Sequence, residues 1–434
     1  MSIYFIKKFL NIIFLITSGL CALGILFRSP IVNLLGSGLP PFVKQLAEAL
    51  VVIMFPSMIF TALAYSLTGV LQSYGSFHAP AAISLVSNGI MVAYLLFAGN
   101  RFGIYGVSWA MLVAWAFQLV VLLPSLAKKK YRYRPFIRFK NPGLKKALFL
   151  AVPILISSWV QPINTMVNMY LASYLNGGQA VSALDYANKL YIIFVGVLTY
   201  AISNLIFPSI SRLAADPEKK TEFTGVMKTA IGSVLFILLP IMIVFLMQRT
   251  EIVRLVYERG AFGPEQTKLT SAALLWYSFG MLGYGMQEML NKAFYAGQNG
   301  KTPMRVSVFG IVVNVAFSFL LVRGFNLGIS GLPMAASVAA NVIAVVLAVI
   351  LNRQYKLFDR AFFINLFKLL VCGAVMVVGL YGTSVLCSFG DGLAGKFLAF
   401  FIPAAVGAIV YFVAAAFLKT NEMKQLKQMI KERK

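Results

Sequence analysis

Predominantly apolar runs of about 18 or more residues recur along the whole chain, and each is long enough to cross roughly 30 Å of hydrocarbon as an α-helix. No other feature restricts the possible folds so strongly. Sixty per cent of the residues are hydrophobic and only 12% are charged, so a water-soluble domain has no means of burying this surface. The sequence therefore predicts an all-α polytopic membrane protein.

The chain contains twelve predicted spans, and its basic residues lie mainly between them. The spans lie near residues 9–27, 47–72, 80–98, 104–126, 147–175, 181–210, 225–248, 268–296, 302–323, 329–351, 360–387 and 393–419. Lys and Arg concentrate on one predicted side, notably in residues 128–146 and 419–434. By the positive-inside rule that side is cytoplasmic, so both termini are predicted to be cytoplasmic. The formal net charge of +25 is thus interpreted as membrane topology and attraction to anionic lipids, and no nucleic-acid partner is predicted.

The chain also contains an internal repeat. LTGVLQSYGSFHAP, which ends at Pro80, is echoed by LNKAFYAGQNGKTP, which ends 223 residues later at Pro303. Further on, FGIYGVSWA is echoed by LGISGLPMA, so that Gly103 and Gly328 correspond. Solenoid repeats are far shorter, roughly 20 to 50 residues. The repeat therefore indicates two parallel, pseudo-symmetric lobes, which is a usual architecture of transporters.

A six-helix repeat predicts how the chain divides into domains. The second to fourth spans match the eighth to tenth, so the first copy is predicted to lack two helices. The expected parts are a truncated four-helix N-terminal lobe (1–126), a basic cytoplasmic linker (127–146), a six-helix C-terminal lobe (147–351), an additional helix pair (352–419) and a basic cytoplasmic tail (420–434).

Two acid–base pairs lie inside predicted spans. Asp185 and Lys189 on the sixth span are four residues apart with the acid first, which is a favourable helical pair, and Glu288 and Lys292 repeat the spacing on the eighth. Intramembrane charge is costly and marks functional positions, so all four residues are candidates for binding a substrate. We interpret Lys189 as a cavity cation. For Glu288 and Lys292 a structural role is slightly favoured, because Lys292 is close enough to the cytoplasmic end to reach water.

Four polar residues on the fifth and ninth spans allow two interpretations. They either line a polar passage or join helices by hydrogen bonds. These residues are Asn164, Asn168, Asn314 and Ser318. The GxxG pattern in FGMLGYG, from Gly280 to Gly283, predicts close helix packing. The sequence shows no catalytic constellation, metal-ligand cluster or phosphate loop, so neither an enzyme nor a resident metal is predicted.

Several stretches resemble the MurJ (MviN) family of lipid II flippases, within the multidrug, oligosaccharidyl-lipid and polysaccharide exporter superfamily. These stretches span most of the chain, and YERGAF followed by NKAFYA in the next helix is fairly specific. They are GVLQSYGSFHAP (from Gly69), SALDYANKL (from Ser182), FPSISRLAA (from Phe207), YERGAF (from Tyr257) and LNKAFYAGQNGKTP (from Leu290).

The resemblance implies a function and several roles. The protein would move an undecaprenyl-diphosphate-linked peptidoglycan precursor across the cytoplasmic membrane of a bacterium by alternating access, with cell-wall synthesis proteins as possible partners. The last two helices, Phe362 to Leu418, would guide the lipid tail. Lys189 stands where the family usually has an arginine, and Arg259 of YERGAF joins it as a substrate-binding candidate. The family's first two helices are expected to be missing.

The resemblance also bears on coupling ions. Some relatives bind sodium through carboxylates at positions that we match to Asn168 and Ser318. Both residues are neutral here, which argues against sodium coupling, and no other cofactor is implied.

Three rival functions make different demands on the sequence. A cation-coupled drug exporter of the same superfamily would need membrane-embedded carboxylates, for which only Asp185 and Glu288 are available. A polyprenyl-processing membrane enzyme would need clustered acids or histidines, and the sequence has none. A non-transporting scaffold, as a truncated paralogue, would bind lipid without moving it.

Overall fold

The structure is a computed structural model that describes residues 3–76, 78–99, 101–128, 162–386, 390 and 392–432. These residues form helices joined by short turns. The helices are α1 (Ile3–Leu26), α2 (Arg28–Leu35), α3 (Pro41–Met54), α4 (Ser57–Ser73), α5 (His78–Ala98), α6 (Gly103–Lys128), α7 (162–173), α8 (Gln179–Ala214), α9 (Lys220–Tyr257), α10 (Pro264–Ser278), α11 (Met281–Ala296), α12 (Lys301–Phe319), α13 (Gly331–Tyr355), α14 (Arg360–Leu386), α15 (Leu393–Phe417) and α16 (Asn421–Glu432).

The predicted all-α membrane class is confirmed. Within the described residues, ten helical stretches are long and apolar enough to cross a membrane. Two predicted spans are not among them. The span 147–175 lies partly outside the described residues, and its remainder contains α7. The span 268–296 is divided into two helices, because the chain breaks at Phe279 and Gly280 between α10 and α11. The count of twelve stays a prediction.

The helices form two compact units, one within Met1–Ser158 and one within Trp159–Lys434. The first contains α1 to α6, and the second contains α7 to α16. The predicted linker lies outside the described residues except for its first two, and the predicted domain limits stay predictions.

The internal repeat is visible in the local geometry of each unit. α5 begins at His78 and α12 begins at Lys301, the same register as Pro80 and Pro303. The turns that precede these helices each contain a residue in the left-handed conformation, Gly75 with φ +73° and Gln298 with φ +56°. Each turn closes with the same 2.9 Å backbone bond, typical of a Schellman helix end, from Ser76 to Leu71 and from Asn299 to Phe294.

In both copies of the repeat a helix is interrupted at the same position, but the chemistry of the interruption differs between the copies. Pro56, which separates α3 from α4, corresponds to Phe279, which separates α10 from α11. In the first copy the proline ring provides no amide hydrogen to continue the helix. In the same turn the Met58 amide bonds the Phe55 carbonyl, and the Ser57 hydroxyl donates to the Met54 carbonyl at 2.5 Å.

In the second copy, side chains of α13 donate hydrogen bonds to backbone carbonyls at the break between α10 and α11. The Ser337 hydroxyl donates to the Trp276 carbonyl at 2.5 Å, and the Asn341 amide donates to the Phe279 carbonyl at 3.0 Å. The approach is close because Gly280 and Gly283 carry no side chain where α11 meets α13. The predicted helix-packing role of this GxxG pattern is confirmed.

α9 is the centre of the second unit. Among the described residues, the helices that pack most extensively against it are α8, α10, α11, α14, α15 and α16. Pro240 inside α9 removes the amide that would bond the carbonyl of Phe236. The buried hydroxyl of Tyr411 on α15 donates to that carbonyl at 3.0 Å instead. This replacement matters because lipid offers no water to an unpaired carbonyl.

The two ends of α9 hold different elements. Near the start of α9, the tail helix α16 packs against it through Gln425. The side-chain amide of Gln425 lies 3.4 Å from the hydroxyl of Thr229. Glu422 of the same tail helix accepts two hydrogen bonds from the amide of Asn365 on α14, at 2.9 and 3.1 Å. The other end of α9, around Gln248 to Glu258, faces the start of α15 and forms part of the site described next.

Candidate substrate site

The Asp185–Lys189 pair forms as predicted on α8. The Lys189 ammonium lies 2.6 Å from the Asp185 carboxylate, and the two side chains are 60% and 56% exposed. The opposite face of this part of α8, including Ala183, Ala187 and Leu190, is buried in the core of the unit. The pair therefore points away from the core of its own unit.

Lys189 lies within the predicted span, one turn further from its start than Asp185. It follows the first residue of α8 by ten positions, which corresponds to about 15 Å along the helix. A cation within a membrane span is costly, up to about 2.5 to 3.5 kcal/mol at the centre of the span on insertion scales. Asp185 offsets part of this cost, but the pair makes no ion pair with any other residue that the structure describes. A costly charge that packing does not require indicates a functional one.

Two stretches that carry the family resemblance meet at Tyr186. The Lys189 ammonium lies 5.8 Å from the centroid of its ring, at the outer limit of a cation–π contact. The ring centroids of Tyr257 and Phe262, both in YERGAF, lie 4.9 and 5.4 Å from that of Tyr186. Tyr257 also donates its hydroxyl to the Tyr186 carbonyl at 3.4 Å. YERGAF thus supports the helical turn that presents Lys189.

The next residue of YERGAF, Glu258, joins a second group of charges. Its carboxylate lies 3.1 Å from the Lys396 ammonium of α15 and 3.7 Å from Arg254, and it accepts a hydrogen bond from the Thr267 hydroxyl at 2.8 Å. Burial by itself raises the pKa of a carboxyl, but the bonds from Thr267 and Lys396 outweigh it and hold the pKa of Glu258 below its ordinary value. Glu258 is therefore a stable anion that ties α9 to α15.

A cavity of about 570 Å³ opens beside this group, between the ends of α9 and α14 and the start of α15. We call it the end cavity. Its lining includes Gln248, Glu251, Arg254, Glu258 and Lys396. Its volume falls within the range of about 300 to 1,000 Å³ that small-ligand sites occupy.

The predicted Glu288–Lys292 ion pair is not formed. Both residues are half-buried on α11, but no ion pair within 4.0 Å joins them. The Lys292 ammonium lies instead 5.3 Å from the centroid of the Phe207 ring on α8. The aromatic face provides a competing contact for the cation, which also links α11 to α8. Their proposed substrate roles stay predictions.

Arg259 lies in the turn between α9 and α10. Its side chain is exposed, and its backbone carbonyl accepts a 3.1 Å bond from Phe262. Gly260, with φ +59°, follows it in this tight turn. Within the described part of the chain, the structure shows no ion pair between Arg259 and Asp185. The substrate-binding candidates Arg259 and Lys189 are therefore not joined through this carboxylate.

Three of the four predicted polar residues form one cluster between α7 and α12. The Ser318 hydroxyl lies 3.0 Å from the amide oxygen of Asn314 and 3.4 Å from that of Asn168. Asn314 and Ser318 are 3% and 0% exposed. This burial favours interhelical hydrogen bonding over an open passage. Asn164, one turn earlier on α7, has a buried amide oxygen without a hydrogen-bond partner among the described residues.

Sequence reasoning missed Glu258 and Lys396 as site residues, although a signal was present. Lys396 is the only charged residue from Leu393 to Leu418, within a predicted span, and such isolated charges mark functional positions. Glu258 stands inside YERGAF, whose specificity pointed to the neighbouring Arg259 instead. The contact between them joins residues 138 positions apart, which the sequence alone does not reveal.

Comparisons with known proteins support the family resemblance. The family model described as "Lipid II flippase MurJ" matches residues 3–400. A probable lipid II flippase MurJ from Buchnera aphidicola subsp. Schizaphis graminum is 28% identical over 426 residues, which cover 95% of this chain and 81% of that protein.

Solved structures give the same result for the fold. A lipid II flippase MurJ in an inward closed conformation superposes with a TM-score of 0.80 and 25% identity, covering 96% of this chain and 84% of that one. A multidrug resistance MATE family transporter in an inward-facing conformation gives a TM-score of 0.66 with 16% identity, over 81% of each chain. The second likeness is one of fold alone.

Proposed function

The chain belongs to the lipid II flippase MurJ family, and from that membership we propose that it moves lipid II from the cytoplasmic to the outer leaflet of the bacterial cytoplasmic membrane. It is a transporter rather than a catalyst of covalent chemistry. The family match extends over nearly the whole chain, and the fold agrees with a solved member over 96% of this chain. Cell-wall synthesis proteins are the partners that this substrate implies.

The exposed Lys189 within a membrane span is the observation that carries the proposal. A diphosphate is the strongly anionic part of the substrate, and an ammonium on the open face of a membrane helix attracts it as a point charge. Asp185 holds the ammonium in place while the site is empty. Tyr186 and the YERGAF residues behind it fix the turn that carries both.

Alternating access completes the proposed mechanism. The face of α8 that carries Lys189 is exposed to each side of the membrane in turn, so the diphosphate crosses while it is bound. The lipid tail stays in the bilayer beside α14 and α15, whose outward faces carry exposed apolar side chains such as Val378, Tyr381 and Phe417. By the positive-inside rule, both termini are cytoplasmic in this arrangement.

Transport is proposed to be independent of sodium. The oxygens that Asn168, Asn314 and Ser318 bring together are all neutral, and hydrogen bonds already join them. A cation in this cluster would lack the carboxylate that usually offsets its desolvation. Replacing sodium with potassium in the flipping assay described next should leave the rate unchanged, and a loss of transport would contradict this part of the proposal.

The test is complementation of a bacterium depleted of its own lipid II flippase. Growth is measured together with the fraction of lipid II that an externally added, membrane-impermeant enzyme can cleave. Wild type and Lys189→Arg should restore both, because arginine keeps the charge, and Lys189→Ala should restore neither. Lys268→Ala, which removes an exposed lysine of α10, is the matched control and should behave as wild type.

Each outcome of the complementation test supports or disproves one part of the proposal. Growth with Lys189→Ala at the wild-type rate would disprove the role of Lys189. Failure of the wild-type chain, when immunoblots show that it is present in the membrane, would disprove transport and favour a scaffold. A cation-coupled drug exporter is the weaker candidate, since Asp185, one of its two available carboxylates, is engaged by Lys189, and the likeness to the MATE transporter is one of fold.

A further inference from the structure

Gln248 is the most unusual residue of the end cavity. It is 5% exposed, and its backbone departs from helical geometry inside α9, with φ −109° and ψ 21°. Its amide nitrogen donates to the Ala399 carbonyl at 3.2 Å. Its amide oxygen is buried and has no hydrogen-bond partner among the described residues. Gln248 is among the residues that line the cavity, so a ligand N–H or O–H that reaches this oxygen would supply the donor that it lacks.

The charges around Gln248 specify the rest of such a ligand. Glu258 is already bonded to Lys396 and Thr267. Glu251 lies 3.3 Å from Arg254, and their side chains are 30% and 45% exposed, so both retain contact with the open side of the cavity. A ligand ammonium placed beside Glu251, and a ligand carboxylate placed beside Arg254 and Lys396, would each meet a side chain of opposite charge. The complementary chemistry is that of a zwitterion that also carries amide or hydroxyl hydrogens.

The position of the cavity relates it to transport. Along α9, Met247 follows Thr229 by 18 residues, or about 27 Å, so the cavity and the docked tail helix lie at opposite ends of a membrane span. The tail is basic and therefore cytoplasmic by the positive-inside rule, which places the cavity at the outer surface. Tyr257 and Glu258 are consecutive, so one short segment supports Lys189 on one side and borders the cavity on the other.

We propose that the end cavity is an outer-surface binding site for the peptide part of the lipid-linked precursor, which carries amide, amino and carboxylate groups. This inference rests on the proposed function and adds a second site to it. The peptide binds there after the diphosphate has reached the outer leaflet, and the occupied cavity disfavours return. A zwitterionic phospholipid headgroup shares the ammonium and the anion but carries no amides, and it serves as the competitor in the test.

The test measures binding of soluble muramyl pentapeptide, with lysine at its third position and neither diphosphate nor lipid, to the purified full chain in phosphatidylglycerol nanodiscs. Calorimetry gives the dissociation constant. Gln248→Met keeps the side-chain length but removes the buried acceptor, and it should weaken binding about tenfold. Gln354→Met, at an exposed glutamine of α13, is the matched control and should bind as wild type.

A second part of the test changes the peptide, so it does not depend on replacing a buried residue of the protein. Acetylating the lysine amine of the peptide should weaken its binding to wild type about tenfold, and it should have no further effect in Glu251→Gln, because the ammonium then has no carboxylate to contact. Glycerophosphoethanolamine should displace the peptide only at much higher concentration.

The outcomes separate this inference from the proposed function. Unchanged binding in Gln248→Met, equal effects of acetylation in wild type and Glu251→Gln, or displacement by glycerophosphoethanolamine at the peptide's own concentration would each overturn the peptide site. None of these results affects the complementation test of Lys189. Conversely, peptide binding by a chain that fails to complement would overturn transport and leave the site in place.

Discussion

The Lys396 ammonium, in the first turn of α15, lies 3.1 Å from the carboxylate of Glu258 at the end of α9. The bond connects the C-terminal helix pair to YERGAF, and the preceding residue, Tyr257, packs on the ring of Tyr186 beside Lys189. A few residues thus contact both the candidate diphosphate site and the helices proposed to guide the lipid tail. This arrangement makes the contact between α9 and α15 relevant to transport as well as to stability.

Breaking the Glu258–Lys396 bond should destabilise the second unit. The two side chains are 17% and 31% exposed, so solvent screens the bond only partly. Hydrogen bonds to charged groups contribute about 1.5 to 3 kcal/mol, and Glu258→Gln or Lys396→Met should each lower the free energy of unfolding by an amount of that order. Unfolding in detergent, followed by circular dichroism, provides the measurement.

The double variant tests whether the effects of the two single changes come from the bond between Glu258 and Lys396. Because the two residues act on one bond, Glu258→Gln with Lys396→Met should cost clearly less than the sum of the single changes. Glu265→Gln, at an exposed glutamate of α10, is the control. Strict additivity would show that the two side chains act independently.

Asp185→Asn should strengthen the binding of inorganic pyrophosphate. The carboxylate lies 2.6 Å from the Lys189 ammonium and repels an incoming anion. A unit charge about 4 Å away in water is worth about 1 kcal/mol, so the dissociation constant should fall roughly fivefold. Stability should change little, since both side chains are more than half exposed. Weaker binding would instead show that Asp185 acts mainly by positioning Lys189.

Gly283→Ala should separate α11 from α13. A Cβ atom at this position would lie 2.8 Å from the backbone nitrogen of Asn341, and a backbone atom has no rotamer by which to move away. Overpacking of this kind costs about 1 to 3 kcal/mol, measurable as a lower melting temperature. Gly225→Ala on α9 has no neighbour within 4 Å and is the control. It should be neutral or slightly stabilising, and an equal loss in both variants would contradict the packing argument.

The contact between Asp359 and Lys228 should make stability depend on pH. The hydrogen bond from Lys228, at 2.6 Å, and that from the Phe362 backbone lower the pKa of Asp359 from its ordinary value of 3.8. Since the unfolded chain then binds more protons than the folded chain in this range, stability falls as the pH falls. The contribution is complete above pH 3.8 and is lost as the pH drops through the lower folded-state pKa.

The measurement compares melting temperatures of wild type and Asp359→Asn from pH 7 to pH 3. Asparagine keeps the shape and the acceptor oxygen but not the charge. The variant should melt lower than wild type at pH 7, and the difference should shrink at the acidic end. A difference of constant size across the range would rule out ionisation of Asp359 as its cause.

Much of this architecture was predictable because lipid imposes simple rules on a chain. Apolar runs of spanning length gave the helices, and an acid and a base four residues apart gave the Asp185–Lys189 pair. The repeat predicted that the same turn occurs twice, and the structure shows it at Gly75 and Gln298. The break between α10 and α11 was not predictable in the same way, since Phe279 lacks the proline signal that marks Pro56.

The sequence by itself determined the membrane class, the repeat, the family resemblance and the candidate cation, because each depends on local composition or on spacing along one helix. Only the tertiary structure decided which distant residues meet. It joined Glu258 to Lys396, gave the Phe236 carbonyl a hydroxyl donor from Tyr411, and replaced the expected Glu288–Lys292 pair with a contact to Phe207. The physical reason is that a charge or a freed carbonyl in lipid must find a partner, and packing determines which partner is within reach.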